Sequence, residues 1–271
     1  MRHARLTLCG SLSLHPVGTG AAMHLAGYCA LELPFTYVPF QVSDLDGAIA
    51  GMRALGIRGY GISMPYKQRI IPLLDALDPL AARIGAVNTV VNDGGRLTGH
   101  NTDAAGAVRA LEEVRPLAGA RVLLLGGGGA ARAIAHAVTE RGAALTIANR
   151  DADRARQLAE ATGATAADPG EVTRAGDYDV VINATSMGMS EVDAASPVPE
   201  GALRAGQTVM DIVYKPIETE LVRAARRRGA TTVHGGRMLL HQAARQFELY
   251  TGIAAPLAAM EAALRVQIGS A

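Results

Sequence analysis

The sequence lacks most of the features that would mark it for a membrane, an oxidising compartment or a polyanion. It has only two cysteines, Cys9 and Cys29, which do not make a disulfide scaffold or a zinc site. No apolar run reaches the roughly eighteen residues that a membrane-spanning helix needs. Neither charge sign is in excess: 26 basic side chains face 25 acidic ones, so binding to nucleic acid or to an acidic membrane surface has no electrostatic support. The opening MRHARLTLCG runs directly into strand-like residues and lacks a signal peptide's long apolar core. Repeats, low-complexity tracts and a disordered linker are absent too. A soluble, cytoplasmic protein is expected.

What is present is a chain of 271 residues that is 49% hydrophobic, with a mean hydropathy of +0.16. That is enough for one large domain or, more comfortably, two. Short apolar strand candidates alternate with helical patterns, which is the rhythm of α/β architecture. RLTLC and FTYVPF read as early strands, Ser43 as the N-cap of the helix DLDGAIAGMRAL, and GYGIS as a further strand. VNTVVNDGGRLTGHN reads as a hairpin turning at Asp93-Gly94-Gly95. From Ala120 the alternation is stricter: RVLLLG, a helix from Ala130, LTIAN, a helix from Asp151, DVVINAT and TVMDIV. These nearly all-apolar strands suit a parallel sheet covered on both faces. Two last helices, about Met238–Tyr250 and Ala255–Val266, have no strand between them. A boundary near Asp103 and a return near Arg237 predict a discontinuous domain of residues 1–103 with 238–271, and an inserted domain of residues 104–237.

Three stretches carry chemistry. In RVLLLGGGGAARA, Gly126, Gly128 and Ala131 fit the spacing G-x-G-x-x-G/A, directly after a strand and at the mouth of a helix. The first glycine permits a tight turn, the second lets the backbone approach a pyrophosphate, and the helix N-terminus faces the phosphates. The next strand ends Ala148-Asn149-Arg150, with Arg154 one turn on, where an NAD site would place an acidic residue. Arginine suits a 2′-phosphate through its planar fork, so NADP is expected in preference to NAD. Asp151 reads as the N-cap of the following helix.

The second stretch is GISMPYKQRI, where Lys67 opens a helix although the helix N-terminus already carries positive partial charge. The third is GAVNTVVNDGGRLTGHNTDAAG, whose hairpin brings Asn88 and Asn101 towards one end, just ahead of Asp103 in the first turn of a helix. Oxidising a secondary alcohol with a nicotinamide requires removal of the hydroxyl proton. A lysine oriented by an aspartate can supply that step, and asparagine amides can hold vicinal hydroxyls.

SMPYK, GAVNTVVND, NTDAAG, LLLGGGGAARA, NRDADRA, VINATSMGM, DIVYKP and MLLHQAARQFELYTG, in this order, resemble the motifs of the shikimate dehydrogenase family over nearly the whole chain. The resemblance implies an α/β substrate domain completed by the C-terminal helices and a Rossmann-type NADP domain. It implies Lys67 and Asp103 as the catalytic pair, with Asn88 and Gln242 on ring hydroxyls, Ser63 in a threonine's place and Tyr214 near the substrate carboxylate. Gly126, Gly127, Gly128, Gly129, Ala130, Asn149, Arg150 and Arg154 would hold NADP, with Thr185 and the backbone of Ile212 close by. No metal is implied.

The resemblance is weakest in CGSLSLHPVGTGAAMH, from Cys9 to His24, which reads as a polar loop between the first strand and helix. If His24 is the family's helix-opening histidine, Gly18 and Gly20 stand in the slots of two carboxylate-binding serines. Ser11 and Ser13 then become candidates for the acid group, with Thr19 as the alternative. Gly61 for an asparagine and Arg237 for a glycine are further departures. The whole looks like the divergent shikimate dehydrogenase-like branch. The expected activity is NADP-dependent interconversion of 3-dehydroshikimate and shikimate, or of a close cyclic hydroxy acid, in aromatic amino acid biosynthesis (the chorismate pathway). The alternatives are a quinate or other cyclitol-acid dehydrogenase, or a non-catalytic NADP- or metabolite-binding protein. A monomer or homodimer is expected.

Overall fold

The computed structural model describes residues 6–189 and 195–269. The chain divides into two compact units, one made of residues up to Thr102 and those from Gln242 onward, the other of Asp103–His241. The architecture is α/β, with one six-stranded sheet in each unit.

In the first unit β1 (Thr7–Ser13), α1 (Thr19–Ala30), β2 (Phe35–Gln41), α2 (Leu45–Leu55) and β3 (Gly59–Ile62) form a parallel βαβαβ run. The one-turn helix α3 (Tyr66–Arg69), β4 (Ala76–Leu77), α4 (Pro79–Ile84) and the hairpin β5 (Thr89–Asp93) and β6 (Arg96–His100) complete it, in the strand order β2-β1-β3-β5-β6-β4. Asp93 pairs with Arg96, which leaves Gly94–Gly95 as a two-residue turn. The core gathers Leu12, Ile49, Met52, Ile62, Ile70, Val90 and Leu97 between sheet and helices. Truncating one such side chain to alanine costs about 2–5 kcal/mol.

Two boundaries differ from the sequence reading. The N-cap of α2 is Asp44, not Ser43: Asp44 is extended and its carboxylate accepts a 2.9 Å hydrogen bond from the Gly47 amide. Strand β1 also runs further than RLTLC, pairing with β2 as far as Ser13↔Gln41. Ser11 and Ser13 are therefore strand residues, and only residues 14–18 connect β1 to α1; Arg5 lies outside the described residues.

In the second unit α5 (Thr102–Glu112) leads into β7 (Arg121–Leu125), α6 (Gly129–Glu140), β8 (Ala144–Ala148), α7 (Ala152–Thr162), β9 (Thr165–Ala167), β10 (Val180–Asn183), β11 (Thr208–Asp211), α8 (Glu220–Arg227), β12 (Thr231–His234) and the start of α9 (Gly235–Thr251), after which α10 (Leu257–Ile268) belongs to the first unit. The chain passes between the units within α5 and α9. Every strand pair in this sheet is parallel, in the order β12-β11-β10-β7-β8-β9. Val122, Leu123, Leu124, Val180, Val181 and Ile182 are wholly buried, as strands covered on both faces must be. The strand order reverses between β7 and β10. At such a switch point the crevice beyond the strands' carboxyl ends binds ligands in doubly wound folds.

Candidate active site

The Gly-rich turn lies at this switch point. Gly126 has φ +121, and a Cβ there would sit 2.9 Å from the Ala184 carbonyl oxygen. Only glycine fits this close approach of β7's exit to β10's exit. Gly127 is pressed against the next segment, because a methyl would lie 3.0 Å from Asn149 Nδ2. A Cβ on Gly128 or Gly129 would meet nothing within 4 Å. Gly128 is the extended N-cap of α6, with no side-chain cap and no acidic residue in the first turn. The turn is thus tight where it touches protein and open where α6 presents its amides, an arrangement that fits a phosphate.

At the exit of β8, Asn149 donates to the Asp151 carbonyl at 3.0 Å. Asp151 caps α7, as the sequence predicts, accepting from the Arg154 amide at 3.2 Å. Its other oxygen lies 3.1 Å from Arg154 Nε, with both side chains at least half exposed. Exposed pairs of this kind contribute only about 0–1 kcal/mol, so Arg154 can turn to an anion at little cost. Arg150 is exposed and forms no ion pair among the described residues. Ala130 lies in the first turn of α6, half-buried.

Beyond β10, Thr185 is fixed through Asn183, whose Oδ1 accepts from the Thr185 amide at 3.0 Å and from its hydroxyl at 2.6 Å. Ile212, after β11, donates its amide to the Asn183 carbonyl at 3.1 Å. Tyr214 is half-buried, and burial raises its hydroxyl pKa.

In the first unit, Ser63 is exposed at the end of β3, its amide bonded to the Leu12 carbonyl at 3.0 Å. Lys67 is half-buried in α3, and its peptide carbonyl accepts from the Val87 amide at 2.8 Å. Asn88 follows, with no exposed surface. Its Oδ1 accepts from the Thr102 amide at 2.7 Å and the Thr89 hydroxyl at 2.9 Å, and its Nδ2 lies 3.0 Å from Thr102 Oγ1. Asn88 therefore pins the first residue of α5, and Asp103, also buried, is the next residue in the chain. Asn101 is committed as well, donating to the Ala86 carbonyl at 3.0 Å.

Gln242 on α9 is half-buried. One turn later lies Gln246, a residue the sequence reading passes over. It is buried, and its Nε2 donates to Thr89 Oγ1 at 3.0 Å and the Asn88 carbonyl at 3.2 Å, while Oε1 faces His24 Nε2 at 3.4 Å. The available signal was a glutamine at i+4 from Gln242, on the helix's apolar stripe next to Phe247. His24 stacks on Tyr37 with ring centroids 4.4 Å apart, and burial lowers its pKa to about 4. Arg237, the residue that departs from a family glycine, is ion-paired to Glu113, which also accepts from His241 at 2.8 Å.

The β1–α1 segment separates its candidates. Ser11 is hydrogen-bonded to Tyr37, and Ser13 is buried within β1. Thr19 opens α1 and is buried, and among the described residues its hydroxyl has no partner. A Cβ on Gly18 or Gly20 would meet nothing within 4 Å.

Comparison with known proteins matches three successive segments. Residues 17–90 match the shikimate dehydrogenase substrate binding domain, residues 109–213 the shikimate / quinate 5-dehydrogenase family, and residues 235–265 the shikimate 5′-dehydrogenase C-terminal domain. The shikimate dehydrogenase (NADP(+)) of Moorella thermoacetica is 44% identical, covering 94% of this chain and 92% of that protein. The shikimate 5-dehydrogenase of Thermus thermophilus, solved with NADP(H) and shikimate, superposes with a TM-score of 0.89 at 35% identity, over 97% of this chain and 100% of that one. The 5-ketofructose reductase of Gluconobacter sp. strain CHM43, solved without ligand, gives 0.88 at 35% identity, over 97% and 99%. With relatives this similar along nearly its whole length, the chain belongs to the shikimate dehydrogenase family.

Proposed function

We propose that the protein is an NADP-dependent oxidoreductase interconverting 3-dehydroshikimate and shikimate, or a closely related cyclic hydroxy acid, in the cytoplasm as a monomer or homodimer. The unit holding β1–β6 binds substrate and the unit holding β7–β12 binds NADP. NADP, when bound, supplies the nicotinamide that exchanges hydride with the substrate carbon. Lys67 Nζ exchanges the proton of the reacting hydroxyl, and the Asp103 carboxylate orients that ammonium. General acid–base assistance of this kind contributes about 10²–10⁴-fold in rate.

The observation that carries the reading is that, within the first unit, the buried pair Val87–Asn88 ties down both the backbone of Lys67 and Thr102, the residue before Asp103. Lys67 is tied through its carbonyl to Val87, and the helix bearing Asp103 is tied through Thr102 to Asn88. Asn88 and Gln242 bind the ring hydroxyls, and Ser63 and Tyr214 complete the substrate contacts. For the carboxylate, Ser11, Ser13 and Thr19 are the candidates. The unpartnered hydroxyl of Thr19 at an uncapped helix start supports it over Ser11, whose hydroxyl is engaged with Tyr37. The amides from Gly126 to Ala130 hold the pyrophosphate. Asn149, Arg150 and Arg154 hold the adenosine 2′-phosphate, and Thr185 and Ile212 line the nicotinamide side.

The open space at Gly18 and Gly20 favours one second reading, a dehydrogenase for quinate or another cyclitol acid. Those glycines, with Ser63 and Arg237, also support a place in the shikimate dehydrogenase-like branch. A panel of shikimate, quinate and related hydroxy acids with NADP and with NAD tests the proposal through kcat/KM for each pair. Turnover of none, with NADP still bound, would refute catalysis.

A further inference from the structure

The proposed chemistry makes no use of Asp211, yet it is the most deeply buried carboxylate at the carboxyl end of the second sheet. It is the last residue of β11, in register with Asn183, the last of β10. Asp211 and Asn183 have no exposed surface, and Thr219, the N-cap of α8, is almost as buried. Among the described residues no cation pairs with Asp211. Three neutral donors meet it instead: Asn183 Nδ2 at 3.0 Å and the Val213 amide at 3.1 Å on Oδ1, and the Thr219 hydroxyl at 2.7 Å on Oδ2. Burial raises its pKa, and the three hydrogen bonds act against that rise. Sequestering a carboxylate from water is costly, and the adjacent Val209 and Met210 show that apolar residues serve this strand well.

Each donor leads to a different segment beyond the strands. Asn183 carries Thr185 on its other amide atom, and Thr185 Oγ1 in turn accepts from the Met187 amide at 3.2 Å. Val213 lies between Ile212 and Tyr214. Thr219 closes the 212–219 loop onto α8 through the Val222 amide at 3.3 Å. One carboxylate therefore sets the exits of both β10 and β11.

We propose that Asp211 is a positioning residue for the nicotinamide half of the dinucleotide, holding Thr185 and the 212–214 segment in place through Asn183 and Val213. This rests on the cofactor reading above, in which the adenosine half lies at β8, on the other side of the switch point. Loss of Asp211 must then weaken contacts to one half of NADP and spare the other. Asparagine at 211 would keep an acceptor for Asn183 and Val213, while the Thr219 hydroxyl would turn to accept from the new amide.

The test is calorimetric binding of NADP+ and of adenosine 2′,5′-bisphosphate, which carries only the adenosine half, to wild type, D211A and D211N. The expected result is a Kd for NADP+ raised about tenfold or more in D211A, substantial recovery in D211N, and binding of the bisphosphate within about twofold of wild type throughout. Should D211A fail to fold, N183A cuts the same arm at its other end and carries the same expectation. Equal weakening of both ligands, or an unchanged NADP+ affinity, would overturn the proposal. Wild-type protein that binds neither ligand would refute the cofactor reading itself, before any variant is made.

Discussion

Substituting alanine at two neighbouring glycines separates what the Gly-rich turn does for folding from what it does for a ligand. At Gly126, with φ +121, a side chain is strained, and its Cβ would press on the Ala184 carbonyl at 2.9 Å. Such a conformation costs about 1–3 kcal/mol in a non-glycine residue, which corresponds to roughly 2–10 °C in Tm for a protein of this size. At Gly128 the backbone is extended, at φ −81 and ψ −174, and a Cβ would meet nothing within 4 Å. G128A should therefore unfold within about 1 °C of wild type. In the proposed cofactor site, however, the backbone at this glycine approaches the pyrophosphate, and a methyl there would crowd it. Holding a phosphate off even one charge-assisted hydrogen bond loses about 1.5–3 kcal/mol, a tenfold or greater rise in Kd. Differential scanning fluorimetry and titration of NADPH fluorescence measure the two effects on the same samples. G126A should lose both stability and affinity, whereas G128A should lose affinity alone. A G128A protein that binds NADPH as wild type does would refute the assignment of this turn to the pyrophosphate.

Lys67→Ala should lower kcat by about 10²–10⁴-fold and leave the Kd for NADP+ unchanged by titration; loss of nucleotide binding in that variant would sink the role assigned to Lys67. Arg150→Ala should raise the KM for NADP about ten- to a hundredfold, the worth of a charge-assisted phosphate contact, with the KM for NAD unmoved; steady-state kinetics with both cofactors decide it. Burial lowers the His24 pKa from 6.5 to about 4, so the folded state resists a proton that the unfolded chain accepts. Stability should then fall as pH drops from about 6.5 towards 4, by up to about 3 kcal/mol. In His24→Phe, which keeps an aromatic ring against Tyr37, a plot of Tm against pH should be flatter across that window, and an equal slope would contradict the burial argument.

The second sheet was legible because parallel strands covered on both faces are written as unbroken apolar runs. Leu123–Leu125 and Val180–Ile182 carry that signal plainly. The edge strands β9 and β12 were missed for the converse reason. TAA and TTVH are short and threonine- or alanine-rich, and their pairing is imposed by the neighbours, not by local pattern. The extension of β1 through Ser13 was hidden because two serines suggest a loop, while its seven-residue register with β2 is a property of the sheet. Asp44 displaced Ser43 as the cap of α2 because both residue types cap well, and only backbone direction chooses between them. At the site, residues defined by spacing (Gly126, Gly128, Asp151) could be read from the chain. Gln246 and Asp211 could not, because their significance lies in hydrogen bonds to residues 157 and 28 positions away in sequence.

The central claim is that this chain performs NADP-linked oxidation of a cyclic hydroxy acid through Lys67. The most direct test is the initial rate of NADPH formation with saturating shikimate, for wild type and Lys67→Ala at matched NADP+ occupancy. A measurable wild-type rate that falls at least about a hundredfold in the variant is the expected result. Equal rates in the two proteins would contradict the account.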